Sequence, residues 1–541
     1  MEKMRERKAS SRRDALIIVS GISLIGMLAF RLVLGKFIGD KGLACFGIAN
    51  EIIFVIAGAV AYGLSESVSS LVRYRVRRGQ YKSAQKVMGS AVFAGCVLGA
   101  VLGSLTLFLA HGIAAGVFGA PLAGQAVCMI APAIVFFILT GIFRGYFQGN
   151  GSRVPVMHSQ ILQMIFFFAG GIAGVIPFRN YGSKVSALLQ NADYADAYGA
   201  MGACIGILCA SILCFLHMLI IYILFRHGIH GQMSKEPPKS QDGVFYIFHM
   251  LLGTGGIYAL YWLFSSGWLL ADGAVMFRAG KDADALFGQW GAYYGKVMAL
   301  TGIAASIISI LCLLPIRRIV VLWERNEDRL AREKLGILIH QCAVIAIPSA
   351  VFLAVLAENL LSAIYGGDQT QTALWMQAGC VNVVLMVFAN IFMEILLRSR
   401  KLLYVAGMTV GAFILQLGIL FLLVRTDTGV IGVILSSIIY YLVIAGCGFY
   451  LVARRVRYRQ EWVRTFAFTA VAASIAGILA MALDKVTRPL GALLSMLISL
   501  LAGVAVYLVI LVFLRAFRDE EMEEMAGGFI FRKLARLLRA G

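Results

Sequence analysis

Apolar runs of about twenty residues recur along almost the whole of this 541-residue chain. A run of that length, coiled as an α-helix, crosses the roughly 30 Å of hydrocarbon in a bilayer. Hydrophobic side chains make up 60% of the sequence and charged ones 14%, and the mean hydropathy is +0.84, well outside the range of soluble proteins. The pattern predicts an all-α polytopic membrane protein with about 14 transmembrane helices, near 15–35, 44–66, 87–110, 126–147, 158–177, 200–225, 244–270, 289–314, 336–360, 374–397, 402–424, 429–452, 465–483 and 490–514.

The distribution of basic residues predicts the orientation of these spans. If the amino terminus is cytoplasmic, the eight inner segments hold 37 of the 48 Lys and Arg residues, counting Arg144 at the inner end of the fourth span, and the seven outer segments hold 9. This is the asymmetry of the positive-inside rule, and it places both termini in the cytoplasm. The net charge of +20 is therefore a sign of topology, and nucleic acid is not an expected partner.

The remaining two basic residues, Arg31 and Lys296, lie within predicted spans. The acidic residue Glu51 lies at a depth close to that of Arg31. With a rise of 1.5 Å per residue, Arg31 is about 6 Å and Glu51 about 10 Å below the same membrane face. Lys296 has a similar depth if its helix enters from that side. Buried charges of this kind usually face a bundle interior or a wet cavity, because contact with lipid costs several kcal/mol. We therefore expect Arg31, Glu51 and Lys296 to bind substrate, with Glu51 paired to either base.

Glu394 is a further intramembrane acid, near the inner end of the tenth span. Asn390 precedes it by one helical turn, so the two side chains share a helix face. Two roles are equally consistent with this spacing, a substrate-binding pair and an interhelical hydrogen-bonding pair.

Signatures of catalysis are absent from the sequence: it contains no P-loop, HExxH, GxSxG or kinase motif. We therefore expect no enzyme activity and no cofactor. The ten cysteines are scattered through or beside the spans without zinc spacing, and His227 and His230 lack further ligands nearby, so no metal site is predicted. Two outer segments, 177–199 and 271–288, carry acidic residues without the spacing of a calcium loop and are expected to be solvated connections: Asp193, Asp196, Asp272, Asp282 and Asp284.

Two stretches separated by roughly 245 to 253 positions suggest an internal repeat. The basic loop 73–86 is echoed by 317–334, and the stretch beginning at Ile142 is faintly echoed by the one beginning at Ile391. A shared offset favours two six-helix bundles around a central cavity, at 1–230 and 231–460. Residues 461–541 then form an extra transmembrane pair and a tail whose apolar and basic residues, between 529 and 539, suit an amphipathic helix on the inner leaflet.

The stretch RGYFQGNGSRVPVMHSQILQ, at 144–163, resembles the loop between the fourth and fifth helices of exporters in the multidrug/oligosaccharidyl-lipid/polysaccharide (MOP) superfamily. The stretches 35–84 and 313–367 resemble other regions of the same superfamily in order and spacing. Within it, the chain is most similar in character to the stage V sporulation protein B-like exporters and the lipid II flippases. The extra helix pair, by resemblance to the flippases, either shelters a lipid tail or serves in packing.

The resemblance implies a bacterial plasma-membrane flippase for a lipid-linked oligosaccharide or peptidoglycan precursor. Two deep basic residues, Arg31 and Lys296, suit the pyrophosphate of such a cargo. Expected partners are this substrate, anionic membrane lipids, and glycosyltransferases or wall-synthesis enzymes. An ion-coupled exporter of organic cations, using Glu51 and Glu394, and a non-transporting membrane scaffold are the alternatives.

Overall fold

The computed structural model describes residues 2–233, 243–279, 283–426, 428–514 and 516. In these ranges the regular structure is entirely helical, so the predicted all-α class is confirmed. Nineteen α-helices follow one another: α1 Glu2–Ile52, α2 Gly58–Arg77, α3 Tyr81–Gly112, α4 Gly124–Gly149, α5 Val154–Leu189, α6 Asp193–Met233, α7 Val244–Ser266, α8 Trp268–Ala279, α9 Ala283–Ala292, α10 Met298–Leu313, α11 Ile316–Glu324, α12 Asp328–Val355, α13 Ala357–Tyr365, α14 Thr370–Gly379, α15 Val381–Arg398, α16 Leu402–Val424, α17 Val430–Val456, α18 Phe468–Thr487 and α19 Ala492–Phe513.

Thirteen helical stretches among the described residues are long and apolar enough to cross a membrane. The first of them, Asp14–Arg77, has 64 residues and is about 96 Å long at 1.5 Å per residue, enough for two crossings. Gly39 divides it, with φ 64° and ψ −174°, a left-handed conformation that glycine adopts without steric cost. Counted in this way, the stretches correspond one to one with the fourteen predicted spans.

Residues 1–295 and 409–429 form one compact unit, and residues 296–408 and 430–541 form a second. Helix α16 contributes to both units, because the division falls between Met408 and Thr409. The predicted halves at 1–230 and 231–460, and the cavity around which they are arranged, stay a prediction.

In the first unit, the turn at Gly39 is fixed by polar contacts and by close helix packing. The Lys41 ammonium donates to Asp193 at 2.8 Å and to Asp284 at 2.9 Å, which connects the turn to α6 and α9. A Cβ on Gly291 would overlap the backbone carbonyl of Asp40, so α1 and α9 approach as closely as they do only because this residue is glycine. The turn at Gly39, which joins the two arms of α1, is thereby held beside α9.

In the second unit, the last two helices, α18 and α19, pack against α12. Small side chains of α18, including Ala472 and Ala476, meet apolar side chains of α12 and α19 in one buried cluster. A polar network links the same two helices to α13: Asn359 of α13 donates to the Asp484 carboxylate, which also accepts from the Ser495 hydroxyl at 2.9 Å. The predicted amphipathic tail at 529–539 lies outside the described residues, as does Lys235 in the connection between α6 and α7.

Candidate functional site

The first unit contains a buried ion pair between the two arms of the opening hairpin. Arg31 precedes the Gly39 turn and Glu51 follows it, so the turn brings the two side chains to the same level. The Arg31 guanidinium donates to the Glu51 carboxylate at 3.0 Å, and the side chains are 15% and 5% exposed. Of the two bases that the sequence offered to Glu51, the structure pairs it with Arg31.

Three neutral residues, which sequence reasoning had not identified, complete this cluster. The Asn50 amide donates to the Tyr294 hydroxyl at 3.0 Å. The Arg31 guanidinium carbon lies 4.1 Å from the centroid of the Tyr294 ring, within the range of a cation–π interaction. Tyr294 in turn stacks on Trp290, with ring centroids 5.1 Å apart. Arg31 is therefore held by a charge on one side and by an aromatic face on the other.

Two π-helical turns adjoin these residues. One, Ile53–Ala57, begins two residues after Glu51, and the other, Tyr293–Val297, contains both Tyr294 and Lys296. Such turns insert one residue into an α-helix and are frequent at functional sites, because they redirect side chains and free backbone groups. No periodicity in the sequence indicates them, since the flanking apolar pattern is unchanged.

Lys296 belongs to the second unit and is buried there. Its ammonium donates to the Gln369 side chain at 3.4 Å and lies 4.8 Å from the centroid of the Tyr365 ring. Gln369 stands immediately before α14, and Asp368 Oδ1 accepts from the Thr370 backbone N–H at 3.0 Å and from the Thr370 hydroxyl at 2.6 Å. These hydrogen bonds from Thr370 lower the pKa of the exposed Asp368 carboxyl. The predicted common layer of Lys296 with Arg31 and Glu51 stays a prediction.

Glu394 and Asn390 lie on α15 of the second unit, one turn apart as expected. Arg398, one turn further on, donates to the Glu394 carboxylate at 2.5 Å, and both side chains are partly exposed. Asn390 is partly buried. An interhelical bond on this helix is instead made by Asn382, which donates to Ser437 of α17 at 2.7 Å. The substrate-binding role of Glu394 and Asn390 stays a prediction.

Asp272 corrects one prediction from the sequence, which placed it in a solvated outer connection. The residue lies within α8, after the Phe245–Ser266 span, and is completely buried. Its Oδ1 accepts from the Gln416 amide at 2.8 Å, while Asp272 Oδ2 and Gln416 Oε1 are buried without a hydrogen bond to any described residue. Burial raises the pKa of Asp272 well above its ordinary value. A protonated carboxyl can donate a hydrogen bond as well as accept one, as an amide does.

Arg144 is a second basic residue whose surroundings the sequence did not indicate. The sequence places it only at the inner end of the fourth predicted span. Its guanidinium donates from Nε to the Ser159 hydroxyl and from Nη2 to the Gln163 side chain, both at 2.8 Å. Arg144 therefore bridges α4 and α5 within the segment 144–163 that carries the family resemblance.

Taken together, the membrane-length helices and the intramembrane charges define a polytopic membrane protein with charged side chains among its helices. The MatE family profile matches residues 15–171. Stage V sporulation protein B of Bacillus subtilis (strain 168) is 22% identical over 443 residues, which cover 80% of this chain and 81% of that protein.

Solved structures share the fold. An inward-facing multidrug resistance MATE family transporter of the MOP superfamily has a TM-score of 0.62 and 14% identity, covering 82% of this chain and 98% of its own. The lipid II flippase MurJ, in an inward closed conformation, has a TM-score of 0.62 and 16% identity, covering 93% and 99%. The predicted resemblance to the MOP superfamily is confirmed, and the chain has the fold of its transporters.

Proposed function

We propose that this chain is a flippase that carries a lipid-linked oligosaccharide, or a peptidoglycan precursor on a polyprenyl pyrophosphate, from the inner to the outer leaflet of a bacterial plasma membrane by alternating access. The observation that carries this proposal is coverage. The lipid II flippase aligns with 93% of this chain and the MATE transporter with 82%, so the flippase accounts for more of it. The similarity to stage V sporulation protein B, over four-fifths of both chains, supports the same class of cargo.

Arg31 and Lys296 supply the positive charge in this proposal. The pyrophosphate of the cargo needs basic groups on its way through the hydrocarbon, since a bare anion there is unstable. Arg31 presents a planar fork of N–H donors that suits a phosphate, whereas Lys296 is a compact point charge. The Arg31 guanidinium stays in contact with Glu51 and Tyr294, and Asn50 holds Tyr294, until the phosphate of the cargo displaces these contacts. Glu394 and Asn390 contact the saccharide in the second unit.

The test is the appearance of the saccharide headgroup on the far side of reconstituted vesicles, measured with a headgroup-modifying reagent that does not cross the membrane. We expect the native protein to expose the headgroup and the Arg31→Ala/Lys296→Ala protein to lose this activity. The matched control is Lys184→Ala/Arg278→Ala, which removes two exposed basic residues. Full activity of the Arg31/Lys296 variant would remove both residues from the mechanism, and no activity of the native protein with any such lipid would refute the flippase.

The MatE match and the MATE transporter fold favour a second candidate, an ion-coupled exporter of organic cations. In that case Glu51 and Glu394 bind the cation or the coupling proton. Two results would favour this exporter over the flippase. The native protein would export a cationic dye and Glu51→Gln would not, and a saccharide linked to polyprenyl pyrophosphate would not compete with the dye. Absence of both activities from a correctly folded protein would favour a scaffold.

A further inference from the structure

A cavity of about 140 Å³ lies in the second unit, between α12 and the segment that leads from α17 into α18. One wall is a single face of α12, on which Arg332, Gly336 and His340 follow one another at intervals of four residues. The opposite wall contains Tyr458 and Arg459. None of the residues assigned to transport above contributes to this cavity.

The cavity exists because Gly336 has no side chain. A Cβ at this position would lie 3.3 Å from the Tyr458 hydroxyl oxygen, so any larger side chain would enter the space between the two walls. Tyr458 is itself held in place, because its hydroxyl donates to the Gln460 side chain at 2.9 Å and Gln460 donates to the Thr465 hydroxyl at 2.7 Å. The opening is therefore a formed part of the fold.

The charges around the cavity favour an anion. Three arginines line it, together with two glutamates, and each glutamate has a cation beside it: Glu461 contacts Arg464 at 3.3 Å and Glu333 contacts Lys334 at 3.6 Å. Arg332 and Arg459 are exposed at the rim, whereas His340 is buried at the floor. The balance of charge at the rim is positive, and guanidinium groups can bind a phosphate through two parallel hydrogen bonds.

The starts of the neighbouring membrane-length helices predict that the cavity lies near a membrane surface. Arg332 is about 6 Å from the start of α12, and the other wall precedes α18, so two membrane-length helices begin beside it. Trp462, 61% exposed, and Val463, 64% exposed, adjoin this wall. Tryptophan is enriched where headgroups meet hydrocarbon, and basic pockets between transmembrane helices bind anionic lipid headgroups.

We propose that this cavity binds the phosphate group of a membrane lipid, with Arg332 and Arg459 as the residues that contact the phosphate. The lipid chains lie against the exposed apolar side chains beside the cavity. An anionic phospholipid and a polyprenyl pyrophosphate share this chemistry, and either is a source of the ligand. The site is independent of the proposed transport activity, because its residues are distinct from Arg31, Glu51 and Lys296.

The experiment measures the thermal unfolding midpoint of the purified full chain in detergent as lipid is added. The probes are phosphatidylglycerol, farnesyl pyrophosphate, inorganic pyrophosphate and oleate, an anion without phosphate. We expect at least one phosphate lipid to raise the midpoint and Arg332→Gln/Arg459→Gln to need about tenfold more of it, because each guanidinium supplies charge-assisted hydrogen bonds. The control Arg329→Gln/Arg455→Gln removes two exposed arginines, one from α12 and one from the last turn of α17, and its response should equal that of the native protein.

Response to farnesyl pyrophosphate alone would assign the site to a polyprenyl lipid, and response to phosphatidylglycerol would assign it to bulk membrane lipid. An equal response to inorganic pyrophosphate or to oleate would overturn a lipid phosphate site. An equal loss of the lipid response in the control variant Arg329→Gln/Arg455→Gln would also overturn it, because that loss would indicate nonspecific electrostatic attraction. Gly336→Leu provides a second test, because it fills the cavity without changing any charge. If it folds with a native midpoint yet responds to lipid as the native protein does, the cavity is not the binding site.

Discussion

At the scale of single residues, substitutions of Arg31 and Glu51 test whether the two charges stabilise the fold as an ion pair or independently of each other. Removing one partner leaves the other charge buried and unpaired, which costs about 3–5 kcal/mol when a pair is well buried and less here, because Arg31 keeps some exposure. We expect Arg31→Gln and Glu51→Gln each to lower the thermal midpoint of the purified protein.

The double variant Arg31→Gln/Glu51→Gln should recover most of the loss, since two amides replace two charges in the same place. Additive losses in the double variant would mean that the two side chains act separately. Arg31→Lys is a second comparison, because it keeps the charge but loses the fork. It should retain most of the stability and weaken the proposed flippase activity.

Asp272 predicts a dependence of stability on pH. Its pKa is raised in the folded chain, so the folded state holds a proton that the unfolded state releases above its ordinary pKa, near 3.8. Stability from this group is therefore present at low pH and is lost as pH rises toward the folded-state pKa. Asp272→Asn imitates the protonated carboxyl, and it should raise the thermal midpoint at pH 8 more than at pH 5. An Asn variant that is equally destabilised at both pH values would show that Asp272 is charged when folded.

At the scale of elements, features that depend on a short stretch of chain could be predicted from the sequence, and contacts between distant residues could not. The fourteen spans could be predicted because hydrophobic length is a local property of the chain. The burial of Asp272 could not, because its partner Gln416 lies 144 residues away in the sequence. Tyr294 was missed for the same reason, since a tyrosine in an apolar run has no distinctive neighbours until α9 packs against α1.

Proline inside α12 predicts a specific role for α19. Pro348 has no N–H, so the carbonyl of Val344 lacks its usual donor one turn later. The Tyr507 hydroxyl of α19 donates to this carbonyl at 2.7 Å and is buried. Tyr507→Phe should cost about 1–3 kcal/mol, because it leaves a buried backbone carbonyl unsatisfied.

The double variant Pro348→Ala/Tyr507→Phe tests that explanation. Alanine at 348 supplies the N–H that Val344 needs, so the loss caused by Tyr507→Phe should be smaller in this background when both are measured by thermal unfolding. An equal loss in both backgrounds would mean that Tyr507 contributes through packing and not through this hydrogen bond. The outcome also indicates whether α19 is bound to α12 by specific polar contacts or by apolar burial alone.

At the scale of the whole molecule, the distribution of basic residues predicts which ends of the helices share a membrane face. Moving short, basic connections to the outer side is unfavourable, so the 37 Lys and Arg residues of the predicted inner segments predict the orientation of the complete set of spans. We therefore expect Lys235 in the cytoplasm and Asp284 outside, although only about fifty residues separate them. Single cysteines at these two positions, in a chain whose ten native cysteines are replaced, should react with an impermeant thiol reagent from opposite sides. The exposed Asp284 side chain makes its site accessible, and Lys41 keeps its contact with Asp193 when Asp284 is replaced. Lysis of the cells before labelling is the control for reactivity. Labelling of both positions from one side would mean that the single predicted span between them, 244–270, does not cross the membrane, and the predicted arrangement of fourteen helices with both termini inside would then be wrong.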